Sequence, residues 1–197
     1  MPAREPEGAE YYGVVSLLDE EHEGLVLRLW EQLEREFGLS FRDRYLPHFT
    51  YHSAEGYDLD RLERILRRQA AKSVPFQVKS KGALAVARAP EVPCFFLPLV
   101  RSLELSQLHR TLWPKLSETA SGIVDRYAPD DWLPTIALTP DIEKDLSSEL
   151  LRFLLQRDLA WQIRIDNLSL LHDTGTRQEL GQRFDFGGGR TTLLPAA

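Results

Sequence analysis

Two seven-residue stretches constrain this chain most strongly: YLPHFTY at Tyr45–Tyr51 and WLPTIAL at Trp132–Leu138. Each places an aromatic residue before Leu-Pro, and each reads as a strand that follows a helical unit. The same plan therefore occurs twice, once in each half of the chain. A fold built on this pattern carries two related sheet-and-helix halves.

The surrounding periodicity fills in the elements. YYGVVSLL (Tyr11–Leu18) is rich in aromatic and β-branched residues and predicts a buried strand. From Asp19 the apolar spacing becomes helical, with Leu25, Leu29, Trp30 and Leu33 on one face and Gly38 as the stop. RYLPHFTYH follows as a strand. Asp58 then caps a helix with Leu59, Leu62, Ile65 and Leu66 as its apolar face, ending near Ala71. Strands are predicted at Phe76–Ala87 and Cys94–Val100, joined by the turn-forming RAPEVP. Ser102 caps the next helix, whose stripe is Leu105, Leu108, Leu112 and Leu116.

After a looser stretch, SGIVDRYAPDD, comes the short strand WLPTIAL. Thr139-Pro140 has the form of a helix cap followed by proline at the first helical position. Trp161–Asp173 predicts one long strand and Arg183–Phe186 a short last one. Residues 1–10 and 188–197 read as tails. Helices paired with antiparallel-leaning strands in each half argue for α+β. The 197 residues suit one bilobal domain.

Composition narrows the function. Hydrophobic residues make up 43% and charged residues 27% of the chain, ordinary for a globular protein. Cys94 is the only cysteine, so an internal disulfide is impossible and a cysteine-based zinc site is not expected. No His-Glu-x-x-His spacing marks a metal site. A net charge of −6 disfavours extended, non-specific nucleic-acid binding but leaves room for a local phosphate pocket. The polar N-terminus lacks a signal-peptide pattern, and no apolar run approaches a membrane span. A cytoplasmic monomer is the expectation.

Within PHFTYH, His48, Thr50 and His52 stand two residues apart, so on a regular strand they share one face. PHFTYH resembles the first signature of the two-histidine phosphoesterase superfamily, which includes the bacterial 2′-5′ RNA ligases. Members carry His-x-Thr twice, once on a central strand of each of two pseudo-symmetric lobes. The resemblance extends to the order of elements from about Tyr12 to Phe186, and WQIRIDNLSLLHDTGTRQEL is similar to the late strand and turn of bacterial members. It implies two lobes of antiparallel sheet, helices packed outside and a central cleft. It also implies opening of a 2′,3′-cyclic phosphate with no metal or organic cofactor.

That chemistry needs a base to activate water and an acid to protonate the leaving oxygen, roles open to two imidazoles. The threonine hydroxyls donate to phosphate oxygens and stabilise transition-state charge. Here the second motif departs from the pattern. Thr135 takes the histidine position and Ala137 the threonine position. Neither moves a proton at neutral pH.

His48 and Thr50 are therefore the candidate catalytic pair, and Thr135, Tyr51, His52 and Arg177 the candidate substrate contacts. The expected partner is a small phosphorylated nucleotide or an RNA end. Catalysis is expected to be reduced or lost. Two alternatives stay open: an active 2′,3′-cyclic phosphodiesterase in which His48 works with a non-standard partner, and a non-catalytic scaffold. Tyr45, Tyr51, Tyr127 and Trp132 are placed either to stack on bases or to fill the core. His109 reads as structural, His172 as a turn cap, and His22, in DEEHEG, as solvated. Arg61, Arg64, Arg67, Arg68 and Lys72 read as a solvated basic face.

Overall fold

A computed structural model describes residues 10–89, 92–139, 142, 144–188 and 191–193. Helix ends follow the capping residues of the sequence. In α1 (Glu20–Phe37), the Asp19 carboxylate accepts the His22 N–H, and Gly38 closes the helix in the left-handed conformation at φ 70°. In α2 (Leu59–Lys72), Asp58 accepts the Arg61 N–H, and in α3 (Leu103–Ser117) Ser102 accepts the Leu105 N–H. These bonds satisfy amides that the first helical turn leaves without partners.

The strands pair antiparallel throughout the described residues. One sheet of six is ordered β11 (Thr191–Leu193), β10 (Gln178–Asp185), β9 (Asn167–Asp173), β1 (Tyr11–Leu17), β2 (His48–Tyr57) and β6 (Ala120–Ile123). A second sheet is ordered β4 (Leu84–Ala89), β5 (Val92–Pro98) and β7 (Thr135–Thr139). A two-stranded ribbon joins β3 (Phe76–Lys79) to β8 (Gln162–Ile165). Strands β2 and β7, the two Leu-Pro strands, come into contact where the large sheets meet. The architecture is α+β, as the element pattern implies.

The helices are exchanged between the halves. Helix α1 lies against β7: Trp30 Nε1 donates to the Leu138 carbonyl at 2.9 Å. It also meets α4 (Ser147–Leu155), where Phe37 and Phe153 sit edge to face at 5.4 Å. Helix α3 lies against β2, and His109 Nε2 donates to the Tyr51 carbonyl at 3.0 Å. Val26, Leu29, Trp30 and Leu33 of α1 and Leu105, Leu112 and Leu116 of α3 are all buried in one continuous core.

Several elements depart from the sequence reading. The strand expected over 76–87 is split into β3 and β4, with Gly82 at φ 69° between them. The long strand over 161–173 breaks at Asp166 into β8 and β9. SGIVDRYAPDD supplies β6 and a 3-10 turn at Asp125–Tyr127. The last strand is longer than RFDF, and Thr191–Leu193, read as tail, pairs with it. Thr139 caps no helix: it ends β7, and its buried Oγ1 accepts the Phe95 N–H at 3.0 Å. Pro140 and the tail residues 1–9 lie outside the described residues, and α4 begins at Ser147.

Candidate active site

Strand β2 is not regular. Val14 pairs with His52 and Val15 with Thr50, so Tyr51 is an extra residue, a β-bulge. Cross-strand partners share a face while Val14 and Val15 point to opposite faces. Thr50 and His52 are therefore on opposite sides of the sheet. This corrects the expectation of three aligned polar groups. His48 and Thr50 take the side away from the helices and stay half-buried, while Phe49 and Tyr51 are fully buried in the core.

His52 is also fully buried. Its Nδ1 meets the Tyr57 hydroxyl at 2.5 Å, its Nε2 meets Ser117 Oγ at 3.2 Å, and its ring lies 4.6 Å from that of Trp113. Burial, with a smaller contribution from the neighbouring His109, pushes its pKa down to about 4. The Tyr51 hydroxyl bonds Ser16 Oγ at 3.0 Å, and burial raises its pKa. Both side chains are thus sealed inside the protein, away from the face of His48 and Thr50, which removes them as expected substrate contacts. The bulge that moves them depends on pairing with β1, which no local pattern reveals.

His48 is held differently. Its Nδ1 lies 2.6 Å from the Leu46 carbonyl. A carbonyl only accepts, so Nδ1 carries the proton and Nε2 keeps the lone pair in the neutral ring. Burial pushes the His48 pKa below the ordinary value, opposed by the Leu46 bond and by the Asp173 carboxylate. At neutral pH the ring is thus a proton acceptor at Nε2. Thr50, two residues along the same face, supplies a hydroxyl donor.

The second strand repeats the geometry without the chemistry. Phe96 pairs with Ala137 and Phe95 with Thr139, so Leu138 is the extra residue of a bulge in β7. Bulge for bulge, Thr135 matches His48 and Ala137 matches Thr50. Each bulge carbonyl receives a ring N–H from the exchanged helix: His109 to Tyr51 and Trp30 to Leu138. The indole of Trp132, in WLPTIAL, also donates to the Thr50 carbonyl at 2.8 Å. Trp132 is 1% exposed and stacks on His109 at 3.8 Å, so it fills the core.

The two strand faces differ in character. Beside His48 and Thr50 on the six-stranded sheet, the register runs through Val15 and Ser169 to Arg183, whose guanidinium bonds Asp185 at 2.7 Å and Asp166 at 3.2 Å. On the other sheet the corresponding face carries Phe96, Pro98 and Ala137 beside Thr135.

Arg177 sits at the tip of the β9–β10 hairpin, exposed, with Nη2 2.5 Å from Glu179 Oε1. Its neighbour Gln178 makes the contact with the His48 segment, accepting the Leu46 N–H at Oε1, 3.1 Å away. Sequence reading passed over Gln178 because nothing local ties it to a segment 132 residues earlier.

None of the remaining histidines shares the face of His48. His109 is buried against Trp132. His172 pairs with Tyr12, on the face of Val14, and stacks on that ring at 4.4 Å. His22 is buried rather than solvated, bonded to Asp19 at 2.7 Å and packed near Trp161. Among the described residues no group of three or more histidine, cysteine or acidic side chains could hold a metal ion. No helix among them is long and apolar enough to cross a membrane.

No family model and no curated protein sequence matches the chain. Among solved structures it is similar to TT0787 of Thermus thermophilus, with a TM-score of 0.61 and 13% identity over 91% of this chain and 100% of that one. At that identity the likeness establishes a common fold. Usb1 of Kluyveromyces marxianus is also similar at 13% identity over 88% of this chain and 98% of that one, but its TM-score of 0.40 is too low to carry an argument.

Proposed function

We propose that this chain is a two-histidine-phosphoesterase-like protein, related to the bacterial 2′-5′ RNA ligases, that holds a phosphorylated nucleotide or RNA end against His48 and Thr50 with catalysis reduced or lost. The observation that carries the reading is the matched pair of bulged strands. One presents an imidazole with its tautomer set and a hydroxyl beside it; the other presents Thr135 and Ala137 in the same register. A single imidazole can act as base or acid within one step but cannot flank the phosphorus from both sides.

Binding should be linked to protons. Burial holds the free His48 pKa below 6.5. A bound phosphate favours the imidazolium and raises that pKa. The complex then holds more protons than the free protein, so affinity rises as pH falls through the bound-state pKa and levels off below the free-state pKa. The test is calorimetric titration with a 2′,3′-cyclic nucleotide at pH 7.5 and 6, alongside turnover, for the native chain and His48→Ala. We expect binding that tightens at pH 6, a clear loss of affinity in His48→Ala, and turnover near background. Native turnover abolished in His48→Ala would establish an active enzyme with another partner group. Absence of binding, or equal binding by both proteins, would leave the scaffold reading.

A further inference from the structure

We propose that Gln178 is the positioning residue that sets the tautomer of His48. The proposal rests on reading His48 as the phosphate-facing group, and the geometry behind it is a chain of hydrogen bonds. Gln178 uses both ends of its side-chain amide: Oε1 accepts the Leu46 N–H at 3.1 Å, and Nε2 donates to Asp173 Oδ2 at 3.2 Å. Its backbone N–H donates to the Arg44 carbonyl at 2.8 Å. The start of β10 thus grips the segment leading into β2 at two points, Arg44 and Leu46. Leu46 in turn presents its carbonyl to His48 Nδ1 at 2.6 Å.

The direction of that carbonyl depends on the Gln178 bond because of the proline that follows. Pro47 follows Leu46 and has no N–H, so this stretch cannot join the ladder as a normal strand would. A residue before proline is confined to extended ψ, which limits how its carbonyl can turn. Anchoring the Leu46 N–H removes the other rotational freedom. With both set, the carbonyl points at Nδ1 and accepts its proton, and the lone pair is left at Nε2. Asp173 orients the Gln178 amide, because a carboxylate accepts from Nε2 and thereby turns Oε1 toward Leu46.

The experiment reads the ring itself and requires no substrate. In protein labelled with 15N-histidine, long-range proton–nitrogen spectra report which nitrogen of each neutral imidazole carries hydrogen. The native chain should show His48 protonated at Nδ1. In Gln178→Leu the His48 signals should move toward the Nε2–H form, with His22, His52, His109 and His172 unchanged. A Gln178→Leu protein that keeps His48 in the Nδ1–H form would overturn the proposal. Hydrogen exchange on the native chain decides the matter if that variant does not fold: a protected Leu46 amide supports the assignment and a freely exchanging one overturns it. Loss of nucleotide binding in the native protein would remove the proposed function and leave the tautomer result intact.

Discussion

Strands β2 and β7 share a Leu-Pro entry, a bulge at the fourth residue, and a carbonyl there bonded by a ring N–H from the exchanged helix. They differ on the face turned away from the helices, where one carries His48 and Thr50 and the other Thr135 and Ala137. The difference shows which part of a bulged strand carries packing and which does not. Phe49, Tyr51, Ile136 and Leu138 are buried completely, so changing them opens cavities. His48, Thr50, Thr135 and Ala137 are only half-buried, so changing them should disturb the fold less.

If the proposed function holds, the largest effect should come from giving β7 the same pair of side chains as β2. Thr135→His combined with Ala137→Thr should raise turnover of a 2′,3′-cyclic nucleotide by roughly 10²–10⁴-fold, the usual contribution of one general acid or base. It should do so with little change in the urea midpoint. A repaired chain that folds and gains nothing would break the equivalence of the two strands.

Acid should separate the two helix seams. Where α3 meets β2, His52 and His109 are buried, and burial holds each pKa near 4 against an ordinary 6.5. The folded state therefore binds fewer protons than the unfolded state between those values. Stability is fully present above pH 6.5 and is lost as pH falls toward 4, by on the order of 2 kcal/mol or more. Urea midpoints at pH 7, 5.5 and 4.5 measure it, and His52→Gln should flatten the slope. A native midpoint constant from pH 7 to 4.5 would contradict the buried neutral pair.

The smallest effect concerns the indole bonds. Trp30→Phe removes an N–H from the carbonyl of the bulge residue Leu138, and Trp132→Phe one from the Thr50 carbonyl beside the Tyr51 bulge. Each should cost about 1–2 kcal/mol in chemical denaturation. A loss confined to one of them would show that the halves do not depend equally on these struts.

What could be read from the chain was what adjacent residues encode. Asp19, Asp58 and Ser102 cap the helices expected of them because a cap is a contact between near neighbours. The paired Leu-Pro strands were legible for the same reason. The bulge at Tyr51 was not, since β1 decides it, and with it went the placement of Tyr51 and His52. Thr139-Pro140 mimicked a helix start, but the Thr139 hydroxyl serves β5 instead. His22 looked solvated among glutamates; the ring that helps bury it, Trp161, comes from far along the chain. The contact of Gln178 with Leu46 is of the same kind.

The exchange of helices also has a consequence for the order in which the protein is made. Trp30 is synthesised 108 residues before Leu138, the carbonyl it bonds. Until β7 emerges, Val26, Leu29, Trp30 and Leu33 lack the sheet that covers them. A fragment ending between β3 and β4 should therefore stay unfolded or aggregate, and co-expression with the remainder should rescue it. Contacts this distant in sequence slow folding. The nascent first half therefore keeps this apolar face uncovered until the second half arrives, a state prone to aggregation.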